Sequence, residues 1–338
     1  MQPKVPKILI VRLRSIGDVL FTLPAVNCVR QNFPEAHISF LAHQSCAPLL
    51  KGFEAVNEVI GLDREVYRGK NPAAMVRATW KLLVHLRLER FTHAIDLHGF
   101  GETALLTRWT GAPERWGIVY RPSRGYAYTA GIQRGQGLHP IDANLAVLRE
   151  CGLQVQSVQN TFRVPDENIR EARGLLESFG IGTAEKYVFV QPFTSNSAKN
   201  WPLTNYIALA TQWRDAGIKV LFGGGPGERA GLGPALQAGF PCSAGAGLLT
   251  SSALARQSDF VIGGDTGLLH IAVAMGKRVL MLINSTAVMA VPYEHREWTI
   301  APQPGQGIET IPLEIVAEQN RGILFRDARD SQAAKLNR

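Results

Sequence analysis

The feature that most limits the fold is an alternation of two apolar patterns, repeated along the chain. Short runs of β-branched residues and leucines suit buried strands, and longer stretches with apolar residues every three to four positions suit helices. The first pair is Lys7 to Leu13, then Gly17, then Asp18 to Asn32, where Leu20, Leu23, Val26 and Val29 keep helical spacing and Pro34 stops the run. Further strands are expected at His37–Leu41, Glu58–Leu62, His93–Leu97 and Arg115–Ile118, with helices near Pro72–Glu89, Glu102–Thr110 and Ile141–Cys151. Such alternation builds a parallel sheet covered on both faces.

A second series follows Val164-Pro165-Asp166, which reads as a linker into a charged helix, Asp166–Ser178. Its strands are expected at Tyr187–Gln191, Lys219–Phe222, Phe260–Ile262 and Arg278–Leu282, and its helices near Thr204–Asp215, Gly227–Gln237 and Thr266–Met275. The 338 residues exceed what one hydrophobic core usually holds. The expectation is an α/β chain of two doubly wound parallel-sheet domains, residues 1–165 and 166–312. Residues 313–338 then form a helix, Leu313–Phe325, expected to pack back on the first domain, and a tail.

Charge separates the halves. Up to Pro165 there are 20 Lys and Arg against 12 Asp and Glu; beyond it there are 16 of each, so the net +8 lies in the first half. That points to an anionic partner for the first domain, with a solvated basic face as the plain alternative. Nucleic acid is not expected as the partner, because the basic half has no recognisable motif or interleaved aromatics. No apolar stretch reaches the ~20 residues of a spanning helix, and Ile8-Leu9-Ile10-Val11, followed by Arg12, Arg14 and Asp18, does not fit a secretory leader. A cytoplasmic protein is expected. Cys28, Cys46, Cys151 and Cys242 lie far apart and read as small buried apolar residues, with neither zinc nor disulfides indicated. P-loop, dinucleotide, nucleophile-elbow and HExxH motifs are missing from the sequence.

Four segments carry candidate chemistry. In Ser15-Ile16-Gly17-Asp18, Asp18 sits where a strand gives way to a helix, the ligand edge of an open α/β sheet. It reads either as a helix N-cap or as a weak base for a hydroxyl losing its proton in the transition state. The loop Thr194 to Pro202 offers the hydroxyls of Thr194 and Ser195 and the charge of Lys199 to a phosphate, unless it is a plain loop in which Pro202 starts the helix. In Gly263-Gly264-Asp265-Thr266-Gly267-Leu268-Leu269-His270, bare N–H groups at a helix start could receive an anion, with Thr266 and His270 on one face. Two such starts on neighbouring strands make a diphosphate site. Glu228, after Gly223–Gly227, could accept from ribose hydroxyls or simply complement a helix dipole.

These segments resemble, in this order, glycosyltransferase family 9, the ADP-heptose:lipopolysaccharide heptosyltransferases. The likeness lies in Ile8-Leu9-Ile10-Val11-Arg12 through Ser15-Ile16-Gly17-Asp18-Val19-Leu20, Thr22-Leu23-Pro24-Ala25, Asp96-Leu97-His98-Gly99 with Leu105-Leu106-Thr107-Arg108, Lys199-Asn200-Trp201-Pro202, and Asp265-Thr266-Gly267-Leu268-Leu269-His270. It implies a GT-B fold, with two Rossmann-like domains facing across a cleft, and an inverting, metal-independent transfer of heptose from ADP-L-glycero-D-manno-heptose to the lipopolysaccharide inner core. It gives Asp18 the role of base, Thr194, Ser195 and Lys199 the diphosphate, Glu228 the ribose, Asp265 the sugar hydroxyls, and Thr266, Gly267 and His270 the phosphate. No cofactor is implied beyond the ADP-heptose donor. The polyanionic acceptor agrees with the basic first half, which would also meet the inner-membrane surface. His98, Arg121 and His139, in loops of that half, are the acceptor-side candidates. The chain departs from the family where it reads Ile283-Asn284-Ser285-Thr286-Ala287 in place of a Gly-Pro-Thr loop. A UDP or GDP sugar, or a two-lobe solute-binding protein, are the alternatives.

Overall fold

The computed structural model describes residues 5–69, 71–134, 137–182, 185–284 and 291–324. The chain forms two compact units, Met1–Arg163 and Val164–Arg338. The division falls directly before the expected linker Val164-Pro165-Asp166, and the segment ahead of it is anchored on the first unit. There Asn32 binds the backbone of Gln154, and Phe162 packs edge-on against Phe53.

The first unit holds β1 (Lys7–Val11), β2 (His37–His43), β3 (Glu58–Leu62), β4 (His93–Asp96), β5 (Glu114–Val119) and β6 (Ala130–Gln133). They form one parallel sheet in the order β3-β2-β1-β4-β5-β6. The central strand β1 is buried from Ile8 to Val11, as expected for a strand covered on both faces. The single helix expected from Asp18 to Asn32 is instead two, Ile16–Leu20 and Leu23–Asn32. Pro24 has no N–H to continue the first helix, and the Thr22 hydroxyl donates to the Val19 carbonyl at the break. Strand β6 was not anticipated. Its pairing with β5 sets Gly131 against Gly117, and a Cβ on Gly131 would stand 2.2 Å from the Gly117 carbonyl oxygen, so its signal is glycine rather than apolar alternation.

The second unit holds β7 (Tyr187–Gln191), β8 (Lys219–Phe222), β9 (Phe260–Gly264), β10 (Val279–Leu282) and β11 (Thr299–Ile300). They too pair in parallel, in the order β11-β10-β9-β7-β8. Trp201 and Tyr206, in edge-to-face contact, anchor a core that also takes in Phe222, Phe260 and Leu280. The helix Leu313–Leu324, expected to pack back on the first domain, adds to the core of this second unit. Val316 and Ala317 enter its core, and the Trp201 indole donates to the carbonyl of Ile311 just ahead of the helix. Of the four cysteines, Cys28 and Cys46 are buried as expected, whereas Cys151 and Cys242 are only half-buried. Among the described residues no helix is long and apolar enough to cross a membrane.

Candidate active site

In open parallel sheets ligands collect at the carboxyl ends of the strands, where the strand order reverses. In the second unit that point lies between β7 and β9, and both phosphate-friendly segments fall there. The chain leaving β7 makes a single 3-10 turn at Ser197–Lys199, and β9 ends at Gly264, just before Asp265 and the helix Gly267–Ala274. Lys199 Nζ donates to Asp265 Oδ2 at 2.7 Å, and His270 Nε2 lies 3.1 Å from Asp265 Oδ1. Burial alone would raise the Asp265 pKa, but the hydrogen bonds from His270 and Lys199 outweigh it and hold the carboxyl below its usual range. Gly264 permits this approach, since a Cβ there would stand 2.7 Å from Thr194 Cγ2 and 2.8 Å from the Lys199 carbonyl oxygen.

Three of the expected site residues in this unit also have partners within the fold. Thr194 turns its hydroxyl inward, donating to the Asn196 carbonyl and accepting from the Asn196 N–H, and its own N–H is taken by Asn200 Oδ1. With that proton spent, Thr194 shapes the loop. His270 is buried against Asp265 and orients the carboxylate, the i+4 spacing to Thr266 notwithstanding. Glu228 closes its turn by accepting the Gly225 N–H at 2.7 Å, at the end of β8 beside β7, and the helix expected at Gly227–Gln237 is reduced to the turn Pro226–Glu228 and Gly233–Gln237. Ser195 is exposed, and Thr266 is the N-cap of the Gly267–Ala274 helix. Of the divergent stretch Ile283-Asn284-Ser285-Thr286-Ala287, residues 285–287 lie outside the described residues.

In the first unit the order reverses between β1 and β4, and here too the motifs converge. The N-cap is Ser15, and Asp18 stands three residues into the helix, accepting the Ser15 N–H at 3.0 Å and its hydroxyl at 3.1 Å through Oδ2. Its other oxygen meets Arg12 Nη2 at 2.6 Å, while Arg12 Nη1 donates to the Leu97 carbonyl at 2.5 Å, tying the end of β1 to the loop after β4. That loop hangs on Asp96, fully buried, whose Oδ1 accepts the N–H groups of His98 and Gly99 and whose Oδ2 accepts the Tyr128 hydroxyl at 2.7 Å. Burial raises the Asp96 pKa against those hydrogen bonds. The result is a pocket of about 230 Å³ lined by Arg12, Arg14, Ser15, Asp18, His98, Phe100 and Tyr120. Arg14 also borders a larger, mainly apolar cavity of about 590 Å³ walled by Leu13, Leu62, Leu82, Leu105 and Trp109.

Of the acceptor-side candidates, only His98 reaches the Asp18 pocket. His139 caps the helix Pro140–Glu150, its Nδ1 accepting the Ile141 N–H at 3.2 Å, and packs edge-on against Phe21. Arg121 is exposed at the start of the turn Pro122–Ala127. Arg12, Arg14, Phe100 and Tyr120 join the pocket without a sequence expectation. Arg12 and Arg14 flank the end of a strand run, where odd charged residues are a signal. Tyr120 lies too far along the chain for any local pattern to place it.

Each of the two Rossmann-like units thus carries charged groups at its ligand edge, a carboxylate in the first and a lysine beside a helix start in the second. The model of glycosyltransferase family 9 (heptosyltransferase) matches residues 79–302, and the chain belongs to that family. It is similar to lipopolysaccharide heptosyltransferase 3 of Escherichia coli, 24% identical over 285 residues that cover 81% of this chain and 82% of that one. Among solved structures it resembles a family 9 glycosyltransferase from Veillonella parvula (TM-score 0.83, 18% identity, covering 96% of this chain and 99% of that one). It also resembles the E. coli heptosyltransferase WaaC with ADP-2-deoxy-2-fluoro heptose (TM-score 0.76, 21% identity, covering 93% and 99%). These likenesses make the fold GT-B, and the protein is a glycosyltransferase of the heptosyltransferase family.

Proposed function

We propose that the protein moves heptose from ADP-L-glycero-D-manno-heptose to the lipopolysaccharide inner core with inversion at the anomeric carbon, the first unit binding the acceptor and the second the donor. The observation that carries this reading is the pairing of Lys199 with Asp265 where β7 and β9 part. It sets a half-exposed ammonium beside a helix N-terminus, a combination suited to a diphosphate leaving group. The names of the relatives supply the sugar and the acceptor class.

In this mechanism Asp18 takes the proton of an acceptor hydroxyl as that oxygen attacks the anomeric carbon from the face opposite ADP. The bond to the diphosphate oxygen breaks as the new glycosidic bond forms, and ADP leaves with the bonding pair. Arg12 and the Ser15 donors hold the Asp18 carboxylate in place, and it accepts the proton late, once the hydroxyl has become acidic. Lys199 and the N–H groups at Gly267 stabilise the charge growing on the leaving phosphate, a role that elsewhere falls to a divalent cation. Ser195 and Thr266 offer further hydroxyls to the phosphates, and Glu228 a free carboxylate oxygen to the ribose.

The protein would work at the cytoplasmic face of the inner membrane. On the helix Pro72–Leu88, Val76, Trp80 and Leu88 are exposed alongside Arg77 and Lys81, the composition of an interfacial helix meeting anionic lipid.

The deciding experiment is ADP release from ADP-heptose by the purified protein, with and without heptose-deficient core lipopolysaccharide. Acceptor-dependent release that survives a chelator is expected. No release despite ADP binding overturns the assigned substrates, and a larger thermal shift with UDP or GDP than with ADP redirects the donor to that nucleotide.

A further inference from the structure

His98 does not behave as a structural histidine. It is 4% exposed, yet among the described residues neither ring nitrogen has a hydrogen-bond partner. Leaving a buried polar group without a partner is destabilising, so a ring kept in this state calls for an explanation. The loop does not need the side chain, because Asp96 holds it through the backbone N–H groups of His98 and Gly99.

Around the ring the walls are aromatic and braced. His98 lies against Phe100 with centroids 4.4 Å apart, and Phe100 meets Tyr120 edge-on at 5.5 Å. Arg134 covers the Tyr120 ring at 4.6 Å, and Arg124 donates to the Gly99 carbonyl. Gly99 makes the arrangement possible: its φ is +70°, and a Cβ would meet the Tyr120 ring at 2.7 Å. Burial, with Arg12, Arg14 and His43 acting in the same direction and Asp18 against, pushes the His98 pKa down to about 4. At neutral pH the ring therefore has one donating and one accepting nitrogen, the complement of a hydroxyl group, which can also both donate and accept.

We propose that His98, Phe100 and Tyr120 form a carbohydrate subsite beside Asp18, in which His98 hydrogen-bonds a hydroxyl of the acceptor and the rings pack against a sugar face. The pocket's 230 Å³ lies below the usual range for drug-sized ligands and fits a single sugar residue at the end of a saccharide. This deepens the assignment of the first unit to the acceptor and rests on it. His98 is thus a positioning and specificity residue, and the proton stays with Asp18.

Saccharide binding can be read without the donor. Saturation-transfer NMR is measured with the full chain and a deacylated, heptose-free core oligosaccharide, for wild type, His98→Gln, His98→Leu and Phe100→Ala, each first checked by thermal melting. The expected result is binding by wild type, partial retention in His98→Gln, and weakening of about tenfold in His98→Leu and Phe100→Ala. In turnover the same variants raise the acceptor KM and leave the donor KM within about twofold. Unchanged saccharide affinity in folded His98→Leu and Phe100→Ala, or no saccharide binding by wild type, overturns the subsite. Saccharide binding without any ADP release would leave the subsite standing and overturn the proposed donor.

Discussion

Both units place an aspartate–cation pair at the point where their strand order reverses, but they expose opposite members of it. In the first, the Arg12 side chain is 11% exposed and Asp18 39%. In the second, Asp265 is 8% exposed and Lys199 35%. The buried member in each case is fixed by the fold, Arg12 by the Leu97 carbonyl and Asp265 by His270. The same two-residue device therefore presents a carboxylate to one ligand and an ammonium to another. A pairing seen in sequence as "Asp near Lys or Arg" says nothing about function until it is known which partner the chain buries.

The contrast is broken most directly at the exposed members. Asp18→Asn is expected to lower transfer by ~10²–10⁴ while leaving the ADP dissociation constant within about twofold, as calorimetry would show. Unchanged transfer would remove Asp18 from the role of base. Lys199→Ala is expected to cost ~10²–10³ in turnover and to weaken ADP about tenfold as well. Equal ADP affinity in that variant would mean that Lys199 serves only Asp265.

The buried side of the second pair shows in stability. The Asp265 carboxyl is held below its usual range in the fold, so the unfolded chain binds its proton more readily, and the stability it lends is present above the unfolded carboxylate pKa and lost as pH falls through the folded one. Asp265→Asn should therefore melt below wild type at pH 7, and the two melting curves should converge as the pH drops into the carboxylate range. A gap independent of pH would show that the pair contributes nothing through its charge. Gly264→Ala, which forces a methyl against Thr194 and the Lys199 carbonyl, should cost about 1–3 kcal/mol of stability. The smallest change is expected from Ser15→Ala. It removes one hydroxyl bond to the exposed Asp18 and keeps the backbone bond, so melting should move by no more than about 2 °C.

How much of this was legible follows from where each signal lies. Strands flanked by turn residues announced themselves, and Glu58–Leu62, Tyr187–Gln191 and Lys219–Phe222 agree to the residue, although the first and last lie at sheet edges. Two of the edge strands, with little apolar signal, did not: Ala130–Gln133 has one large apolar residue and Thr299–Ile300 is only two residues long. The helix Leu248–Gln257 was missed because Thr250, Ser251 and Ser252 interrupt its apolar pattern; it is nonetheless buried along most of its length against the helix Asp166–Ser178, where Thr250 pairs with Asn168 and Glu171. In the site, Asp18, Lys199 and Asp265 were visible as polar residues following strands. The inward turn of the Thr194 hydroxyl and the capping role of His139 depend on backbone geometry that no spacing reveals. The Asp96–Tyr128 bond spans 32 residues and two strands, and only the pairing of β4 with β5 brings its ends together.

Arg14 is a common wall of the polar pocket around Asp18 and of the apolar cavity behind it. Free energies measured in the two pockets are for that reason not independent quantities. A double-mutant cycle that joins a substitution at Phe100 to one at Trp109 should leave a residual above about 0.5 kcal/mol while Arg14 is kept and close to within a few tenths of a kcal/mol once Arg14 is replaced by Ala, and the residual measures how far the two pockets act as one.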